Sequence, residues 1–287
     1  DNITVMRDGV SVCTRPVKDY ALTDIVHDMV GRSITDFYPA RTNKPGDVIL
    51  ELKNFTSGKL FKNVNFNLRK GEILGFAGLM GAGRTEIMRA FFGVDKREGG
   101  EIIFKGQPLV IDKPLDAIKA GFGFITENRK TEGLILDFSI MRNIALPSVD
   151  TFASKSIINF SRVQAFADEL SKKLGVRAHS LDLEAGALSG GNQQKVVIAK
   201  WVGMKPEVII MDEPTRGIDI AAKKDIYELM NELTASGVSI IMVSSELPEV
   251  LGMSDRIVVV HEGHIAGELM HDEATQEKIM SLATGGM

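Results

Sequence analysis

The sequence predicts an α/β protein built around a mainly parallel sheet that helices cover on both faces. Five short apolar runs alternate with stretches of helical character, and they span residues 73–77, 122–125, 208–211, 239–243 and 257–260. Runs this short and unbroken by charged residues are typical of strands that are buried on both faces. The alternation of such strands with helices is the pattern of an α/β fold.

The composition is that of an ordinary globular protein. The 287 residues are 44% hydrophobic and 25% charged, which is enough apolar material for a buried core. A net charge of −4 offers no positive surface for nucleic acid, so we expect no nucleic-acid partner. The single cysteine, Cys13, cannot form an internal disulfide, and no apolar run is long enough to predict a membrane span. A reducing cytoplasm is therefore the expected compartment.

The two ends of the chain resemble each other. Residues 1–9 resemble residues 255–263, and both read as a short strand that ends in an acid-glycine turn. Residues 23–31 resemble 275–285 in the same way, each being a helical stretch that runs into glycine. Two unrelated pieces of common structure would explain this likeness. We interpret it instead as a repeat.

The repeat predicts the domain organisation. Residues 1–46 are interpreted as the tail of a preceding copy of the same domain, followed by a linker, and residues 47–287 as one domain. The linker is placed at residues 42–47, which are polar and contain Pro and Gly. The chain opens on Asp1 without an initiator Met, so we expect it to be a piece of a longer protein.

A glycine-rich loop follows the strand at 73–77 and precedes a helix predicted from Ile87 onward. Its spacing, G-x-x-x-x-G-basic-Thr, predicts a loop whose backbone amides surround a phosphate group at a helix N-terminus. A hydroxyl at the threonine position is suited to Mg²⁺. The residues concerned are Gly78, Leu79, Met80, Gly81, Ala82, Gly83, Arg84, Thr85 and Glu86. A plain connection between a strand and a helix is the alternative.

Two residues of this loop depart from the usual pattern. Arg84 stands where lysine is expected, and a planar guanidinium does not replace an ammonium group around a γ-phosphate. Glu86 brings a carboxylate that would repel a nearby phosphate, unless it stabilises the helix N-terminus or pairs with Arg84. We therefore expect a weakened loop that still binds an anion.

A second motif reads Leu-Ser-Gly-Gly-Asn-Gln-Gln-Lys and precedes an apolar helical run at residues 196–201. Ser189 is suited to cap the helix, and the two glycines allow a phosphate to approach it closely. Because one domain rarely needs two such sites, we expect this one to face a phosphate held by another domain. An ordinary Ser-Gly helix start is the alternative. The residues assigned to the motif are Leu188, Ser189, Gly190, Gly191, Asn192 and Gln193.

The strand at 208–211 leads directly into two acids, Asp212 and Glu213. A carboxylate at the carboxyl end of a buried strand can hold Mg²⁺ beside a phosphate loop, which is the role predicted for Asp212. Glu213 is then placed to orient or deprotonate an attacking water. The alternative is that both acids only cap the next helix.

These three motifs, in this order, resemble the ATP-binding-cassette domains over residues 48–287. They are most similar to the second cassette of the double-cassette ATPases of bacterial monosaccharide importers, and residues 243–256 and 261–264 resemble those of the members that import ribose. The resemblance implies a P-loop NTPase with a mainly parallel core sheet, an antiparallel β subdomain and a helical subdomain at roughly 127–203. It also implies ATP and Mg²⁺ as cofactors and ATP hydrolysis as the activity.

The same resemblance implies partners and a location. The expected partners are an upstream cassette of the same polypeptide, transmembrane permease subunits and, indirectly, a periplasmic sugar-binding protein. The expected location is the cytoplasmic face of the bacterial inner membrane. The rival interpretations are a cassette ATPase that does not serve transport and a regulatory module without turnover.

Three further residues take their expected roles from the resemblance. Asp219 falls in a loop that contacts the opposite cassette. Glu127 replaces the usual glutamine that links Mg²⁺ to the membrane partner, or is a solvated loop acid. Ser245 replaces the usual histidine that touches the γ-phosphate, and we interpret it as a helix N-cap. The pair Arg129 and Lys130 is expected to be a solvated loop.

These substitutions predict a division of labour. The chain is expected to donate residues 188–193 to a competent site on its upstream partner, whereas its own site binds nucleotide with little turnover.

Overall fold

The computed structural model describes residues 1–7, 10–20, 37–41, 43–154 and 157–286. The strands are β1 (Asn2–Arg7), β2 (Val10–Pro16), β3 (Val48–Ser57), β4 (Phe61–Arg69), β5 (Ile73–Gly78), β6 (Gly99–Phe104), β7 (Gln107–Leu109), β8 (Phe122–Ile125), β9 (Ala153–Ser154), β10 (Ile157–Ile158), β11 (Val208–Asp212), β12 (Ser239–Val243), β13 (Arg256–His261) and β14 (His264–Met270). The α-helices are α1 (Arg84–Phe91), α2 (Pro114–Lys119), α3 (Ile140–Ala145), α4 (Phe160–Lys173), α5 (Gly190–Val202), α6 (Ile220–Ala235), α7 (Leu247–Met253) and α8 (Gln276–Ala283).

The central sheet has six strands in the order β14-β13-β5-β12-β11-β8. Neighbouring strands from β13 to β8 are parallel, and β14 is antiparallel to β13 at the edge. Every residue of β8, β11 and β12 is buried, as the unbroken apolar runs predict for strands covered on both faces. The predicted α/β class is confirmed.

The crossover order decides where the candidate site lies. Because β5, β8, β11 and β12 are parallel, their carboxyl ends meet at one edge of the sheet. The glycine-rich loop leaves β5 at this edge, and the acidic pair leaves β11. The segments containing Glu127 and Ser245 leave β8 and β12 there. Residues far apart in the sequence therefore converge.

A second sheet, in the order β4-β3-β6-β7, is entirely antiparallel. Helices α3, α4 and α5 follow β8 and pack on one another before the chain returns to the central sheet at β11. The described residues also form four 3₁₀ or π turns, of which the π-helical turn at Arg129–Gly133 bears on the site. Within the described ranges, no helix combines the length and the apolar character that crossing a membrane requires.

Two helices begin earlier than the apolar pattern indicates. Helix α1 begins at Arg84 instead of Ile87, directly after Gly83, whose φ of 102° supplies the N-cap position. Helix α5 begins at Gly190, well before the apolar run at 196–201. In both cases the first turn consists of polar residues and glycine, although Arg84, Gly191 and Gln193 are buried. Apolar periodicity therefore does not mark the beginning of either helix.

The terminal likeness extends to strand pairing. Asn2 pairs with Pro16 as Arg256 pairs with Met270, and the remaining pairs follow at the same offset. Both ladders also shift register at the same step, after Val5 in one and after Val259 in the other. The turn between β13 and β14 has positive φ at both central residues, as in a two-residue hairpin. The matching turn at 8–9 and the helical stretch at 23–31 lie outside the described residues.

Candidate functional site

The glycine-rich loop leaves β5 at Gly78 and ends where α1 begins. Gly81 and Gly83 have φ values of 77° and 102°, which glycine adopts without a steric penalty. The side chains of Leu79 and Met80 are 42% and 95% exposed, so they point away from the loop. The loop therefore presents mainly backbone and the N-terminus of α1, an arrangement that suits an anion.

Arg84 is buried, and its side chain reaches the segment that follows β12. Its Nη1 donates a hydrogen bond of 2.5 Å to the backbone carbonyl of Ser244, which follows β12. Among the described residues no ion pair joins Arg84 to Glu86, which lies in the first turn of α1. The guanidinium is also close enough to Asp212 and Glu213 to lower the pKa of both carboxyls. Arg84 thus binds the end of β12 and faces the acidic pair.

Asp212 is buried, and neither of its carboxylate oxygens accepts a hydrogen bond of good geometry. Burial raises the pKa of Asp212 to about 6, although the neighbouring Thr85 hydroxyl and Arg84 oppose the shift. A buried carboxylate without hydrogen bonds is costly. The pair of Asp212 and Thr85 therefore has the oxygen donors, and the unmet bonding capacity, that suit a divalent cation.

Glu213 follows in an unusual backbone conformation. Its φ of 49° is uncommon for a residue other than glycine, and such strain concentrates at functional sites. Its amide donates to the carbonyl of Val243, which holds the ends of β11 and β12 together. Burial raises the pKa of the Glu213 carboxyl, and the neighbouring Ser245 opposes part of this shift. Glu213, which is predicted to act on the attacking water, therefore lies beside Ser245.

The interpretation of Ser245 as a helix N-cap is wrong. Helix α7 begins at Leu247, so Glu246 holds the N-cap position. The Glu246 amide donates to the hydroxyl of Ser244 over 3.0 Å, and this bond takes the place of a cap from Ser245. Ser245 is consequently exposed and beside Glu213.

The segment after β8 binds the segment after β11. Glu127 is exposed and forms an ion pair with Arg216. Arg129, expected to be solvated, instead donates to the carbonyls of Arg216 and Gly217 at 2.7 and 3.1 Å. A third bond of 3.4 Å reaches Oε1 of Gln193 in α5. Arg129 therefore joins the beginning of α5 to the loop that precedes Asp219.

Helix α5 begins at the surface and then enters the core. Ser189 is exposed, while Gly191 and Gln193 are buried. The predicted capping bond of Ser189 is not formed, because its hydroxyl accepts instead from Nδ2 of Asn192 at 3.1 Å. Leu188, which precedes the helix, packs against the core.

Asp219 caps the next helix, α6. Its Oδ1 accepts from the amide of Ala222 at 2.9 Å, and the residue is exposed. A β-carbon added to Gly191 would lie 2.6 Å from the β-carbon of Ala222. Only glycine therefore fits where α5 and α6 approach each other, and Ser189 and Asp219 border the same surface.

Comparison with known families shows the family to which the chain belongs. The family model described as ABC transporter matches residues 61–216, which is more than half of the chain and contains the glycine loop, the Ser-Gly-Gly helix and the acidic pair. The chain belongs to the ABC transporter family. The family predicted from the three motifs is confirmed.

Curated relatives are similar along the whole cassette chain. The ribose import ATP-binding protein RbsA of Oceanobacillus iheyensis is 57% identical over 286 residues, which cover 100% of this chain and 58% of that protein. RbsA of Bacillus subtilis strain 168 is also 57% identical with the same coverage. The cassette chain thus spans less than two thirds of the length of these relatives.

Solved cassettes share the fold. One ATP-binding cassette of an ABC transporter aligns with a TM-score of 0.72 at 22% identity, over 82% of this chain and 98% of that one. A bacterial ABC transporter cassette solved as a dimer aligns with a TM-score of 0.68 at 24% identity, over 78% of this chain and 99% of that one. At this level of identity the likeness supports the fold.

The contacts of Arg129 in the cassette allow a direct test. Arg129→Ala removes three hydrogen bonds and leaves two carbonyls of the loop without their donor, so we expect a loss of about 1–2 kcal/mol in the free energy of unfolding. Urea denaturation measures it. Lys130→Ala is the matched control, because Lys130 is exposed and adjacent, and should change stability by less than about 0.5 kcal/mol. Equal stability of the two variants would contradict the structural role of Arg129.

Proposed function

We propose that this cassette couples the binding and hydrolysis of ATP to the import of a monosaccharide, ribose, across the bacterial inner membrane. The observation that carries the proposal is the convergence of the glycine loop, Asp212 and Glu213 at one edge of the sheet. The choice of ribose rests on the names of the 57% identical relatives. The cassette would act at the cytoplasmic face of the membrane, as a peripheral subunit.

In this proposal the loop from Gly78 to Glu86 binds the phosphates of ATP through its backbone and through the N-terminus of α1. Thr85 and Asp212 hold Mg²⁺, which neutralises phosphate charge when it is bound. The unpaired oxygens of Asp212 support this assignment. Glu213 accepts a proton from, or orients, the attacking water, and Ser245 holds the Glu213 carboxylate.

We further propose that this cassette has little turnover at its own site. Arg84 is bound to the Ser244 carbonyl and faces two carboxylates, so its charge is directed to the protein instead of a γ-phosphate. Glu127 is paired with Arg216 instead of being free to reach the nucleotide. Residues 188–193 act in the site of the upstream cassette, which the surface position of Ser189 supports.

The partners follow from the same proposal. The identical pairing of the β1-β2 and β13-β14 hairpins supports residues 1–46 as the end of an upstream cassette in the same polypeptide, with its linker. Asp219 would contact that cassette. Permease subunits would bind the helical part, roughly residues 127–203, and a periplasmic sugar-binding protein would deliver the sugar to them.

Hydrolysis by the isolated chain and by the complete double-cassette protein tests the division of labour. We expect steady-state ATPase near background for the 287-residue chain, because its own site lacks a free phosphate-binding lysine. The complete protein should hydrolyse ATP. Phosphate release is measured for the 287-residue chain and for the complete protein. The Glu213→Gln variant of the chain serves as the blank. Robust turnover by the chain that this substitution abolishes would overturn the division of labour.

Calorimetric titration with ATP and Mg²⁺ addresses the rival of a module that binds no nucleotide. Saturable heat is expected from the wild-type chain. Its absence at millimolar ATP would favour the regulatory or structural interpretation.

A further inference from the structure

The segment that precedes the cassette is bound firmly to it through Arg41. The guanidinium donates to both carboxylate oxygens of Asp255, at 3.0 and 2.6 Å, and to the carbonyl of Gly71 at 3.2 Å. The side chains of Arg41 and Asp255 are only 14% and 13% exposed. Asp255 also accepts from the amide of Ile73, the first residue of β5. Arg41 is thus connected to the strand that carries the glycine loop.

Helix α6 holds the same segment from a second side. Asn231 and Thr234 accept hydrogen bonds of 2.8 and 2.7 Å from Nη1 of Arg41. The side-chain amide of Asn231 in turn donates to the carbonyls of Pro39 and Ala40. Residues 39–41 are therefore fixed by directional hydrogen bonds to a buried helix face. A flexible linker would not require such bonds.

Tyr38 packs against α7 at Gly252, where the absence of a side chain leaves room for its ring. A β-carbon added to Gly252 would come within 2.6 Å of the ring atoms Cδ1 and Cδ2 of Tyr38. The Tyr38 ring also packs against Tyr227 of α6, with centroids 5.2 Å apart, and Phe37 packs edge-on against both rings. The segment thus inserts an aromatic side chain between α6 and α7.

Beyond these rings lies Glu249, a buried carboxylate without an assigned role. It accepts a hydrogen bond of 2.6 Å from the hydroxyl of Thr215, two residues after Glu213. The Ser244 hydroxyl also faces the Glu249 carboxylate, and the Ser244 carbonyl is the group that binds Arg84. Burial, together with the charge of Glu249, raises the pKa of Tyr38 to about 12, and the same two causes raise the pKa of Tyr227.

We propose that the segment 37–41 is a positioning element of the nucleotide site, in which Tyr38 packs Tyr227 against Glu249 so that Thr215 and Ser244 keep the orientation that nucleotide binding needs. The part of the polypeptide before the cassette then influences this site through its own linker. The inference rests on the proposed function, since it concerns the same nucleotide site. Glu249 and Tyr38 are positioning residues, and neither is placed on the nucleotide.

Two substitutions test the element from opposite sides of one contact. Tyr38→Ala removes the ring, and Gly252→Ala displaces it while adding a residue that favours helix. Each should weaken binding of Mg²⁺-ATP, measured by calorimetry on the 287-residue chain, by about fivefold or more. The double variant should be no weaker than Tyr38→Ala alone, because both act on one contact. Tyr38→Phe keeps the ring and should bind as the wild type does.

Gly99→Ala is the matched control, because an added β-carbon there meets no atom within 4 Å. It should leave affinity unchanged. Amide exchange supplies a second measurement that does not need nucleotide. In Tyr38→Ala the amides of Ser244 and Arg216 should exchange faster, while those of β8 keep their protection.

Wild-type affinity in both Tyr38→Ala and Gly252→Ala would overturn the inference, as would unchanged exchange at Ser244 and Arg216. If the wild-type chain itself binds no nucleotide, the proposed function fails instead. The two failures are therefore distinguishable.

Discussion

Asp212→Asn should make the nucleotide-free chain more stable at pH 8, by up to about 3 kcal/mol. The wild-type carboxylate is buried with both oxygens unpaired, and burial raises its pKa from 3.8 to about 6. At pH 8 folding therefore places an ionised group where it is poorly solvated. Asparagine has a similar shape and removes that charge. Chemical denaturation of both proteins measures the difference.

The pH dependence has a definite sign. Because the folded-state pKa of Asp212 is raised, the folded chain binds this proton more tightly than the unfolded chain does. The contribution of Asp212 to stability therefore falls as the pH rises from about 4 to about 6, and it stays constant above that. The advantage of Asp212→Asn should shrink to roughly half between pH 8 and pH 5. An advantage that does not change with pH would exclude this origin.

Mg²⁺ and ATP should cancel most of this advantage. If Thr85 and Asp212 hold the cation, the wild type gains about 2.7 kcal/mol at a ligand concentration of 100 times Kd, and Asp212→Asn gains little. Thermal denaturation with and without Mg²⁺-ATP measures the gain. Asp150→Asn, on an exposed aspartate, is the control and should behave as the wild type in both conditions. A variant that responds to Mg²⁺-ATP as the wild type does would contradict the assignment of Asp212.

The sequence predicts those parts of the molecule that depend on local pattern. The strands at 122–125 and 239–243 were bounded correctly, since fully buried strands carry a continuous apolar signal. The position of the acids at a sheet edge followed from the parallel topology. The first turn of α1 was missed because polar residues at a helix start give no apolar periodicity, whereas the start of α5 was indicated by Ser189, which holds the N-cap position.

Contacts between distant segments could not be read in this way. Arg129 looks like a solvated loop residue in the sequence, and its partners at 216 and 217 lie 87 and 88 residues away. Arg41 and Asp255 are 214 residues apart. Ser245 was misassigned because the choice of N-cap depends on where α7 starts, and Ser244 supplies the bond to Glu246 instead. The role of a charged or hydroxyl side chain depends on its hydrogen-bond and ion-pair partners, and only the fold brings those partners together.

In the double-cassette protein that we propose, Ser189→Asp should reduce the ATPase activity by roughly 100- to 1,000-fold, without unfolding this cassette. Aspartate is among the best N-cap residues, so α5 should keep its stability. In the proposed arrangement, however, the new carboxylate faces a phosphate of the upstream cassette. Two unit charges 4 Å apart repel by about 4 kcal/mol at an effective dielectric constant of 20. Steady-state phosphate release measures the loss.

Thr275→Asp separates this charge effect from a general effect of the substitution. Thr275 is an exposed N-cap residue of α8, far along the chain from the Ser-Gly-Gly helix, and its hydroxyl accepts from the amide of Lys278. This substitution also replaces a hydroxyl by a carboxylate at a helix start. The ATPase activity of the Thr275→Asp protein should therefore stay within about twofold of the wild type. If Ser189→Asp also retained full activity, the beginning of α5 would not face a nucleotide, since a carboxylate placed against a triphosphate cannot be neutral in effect.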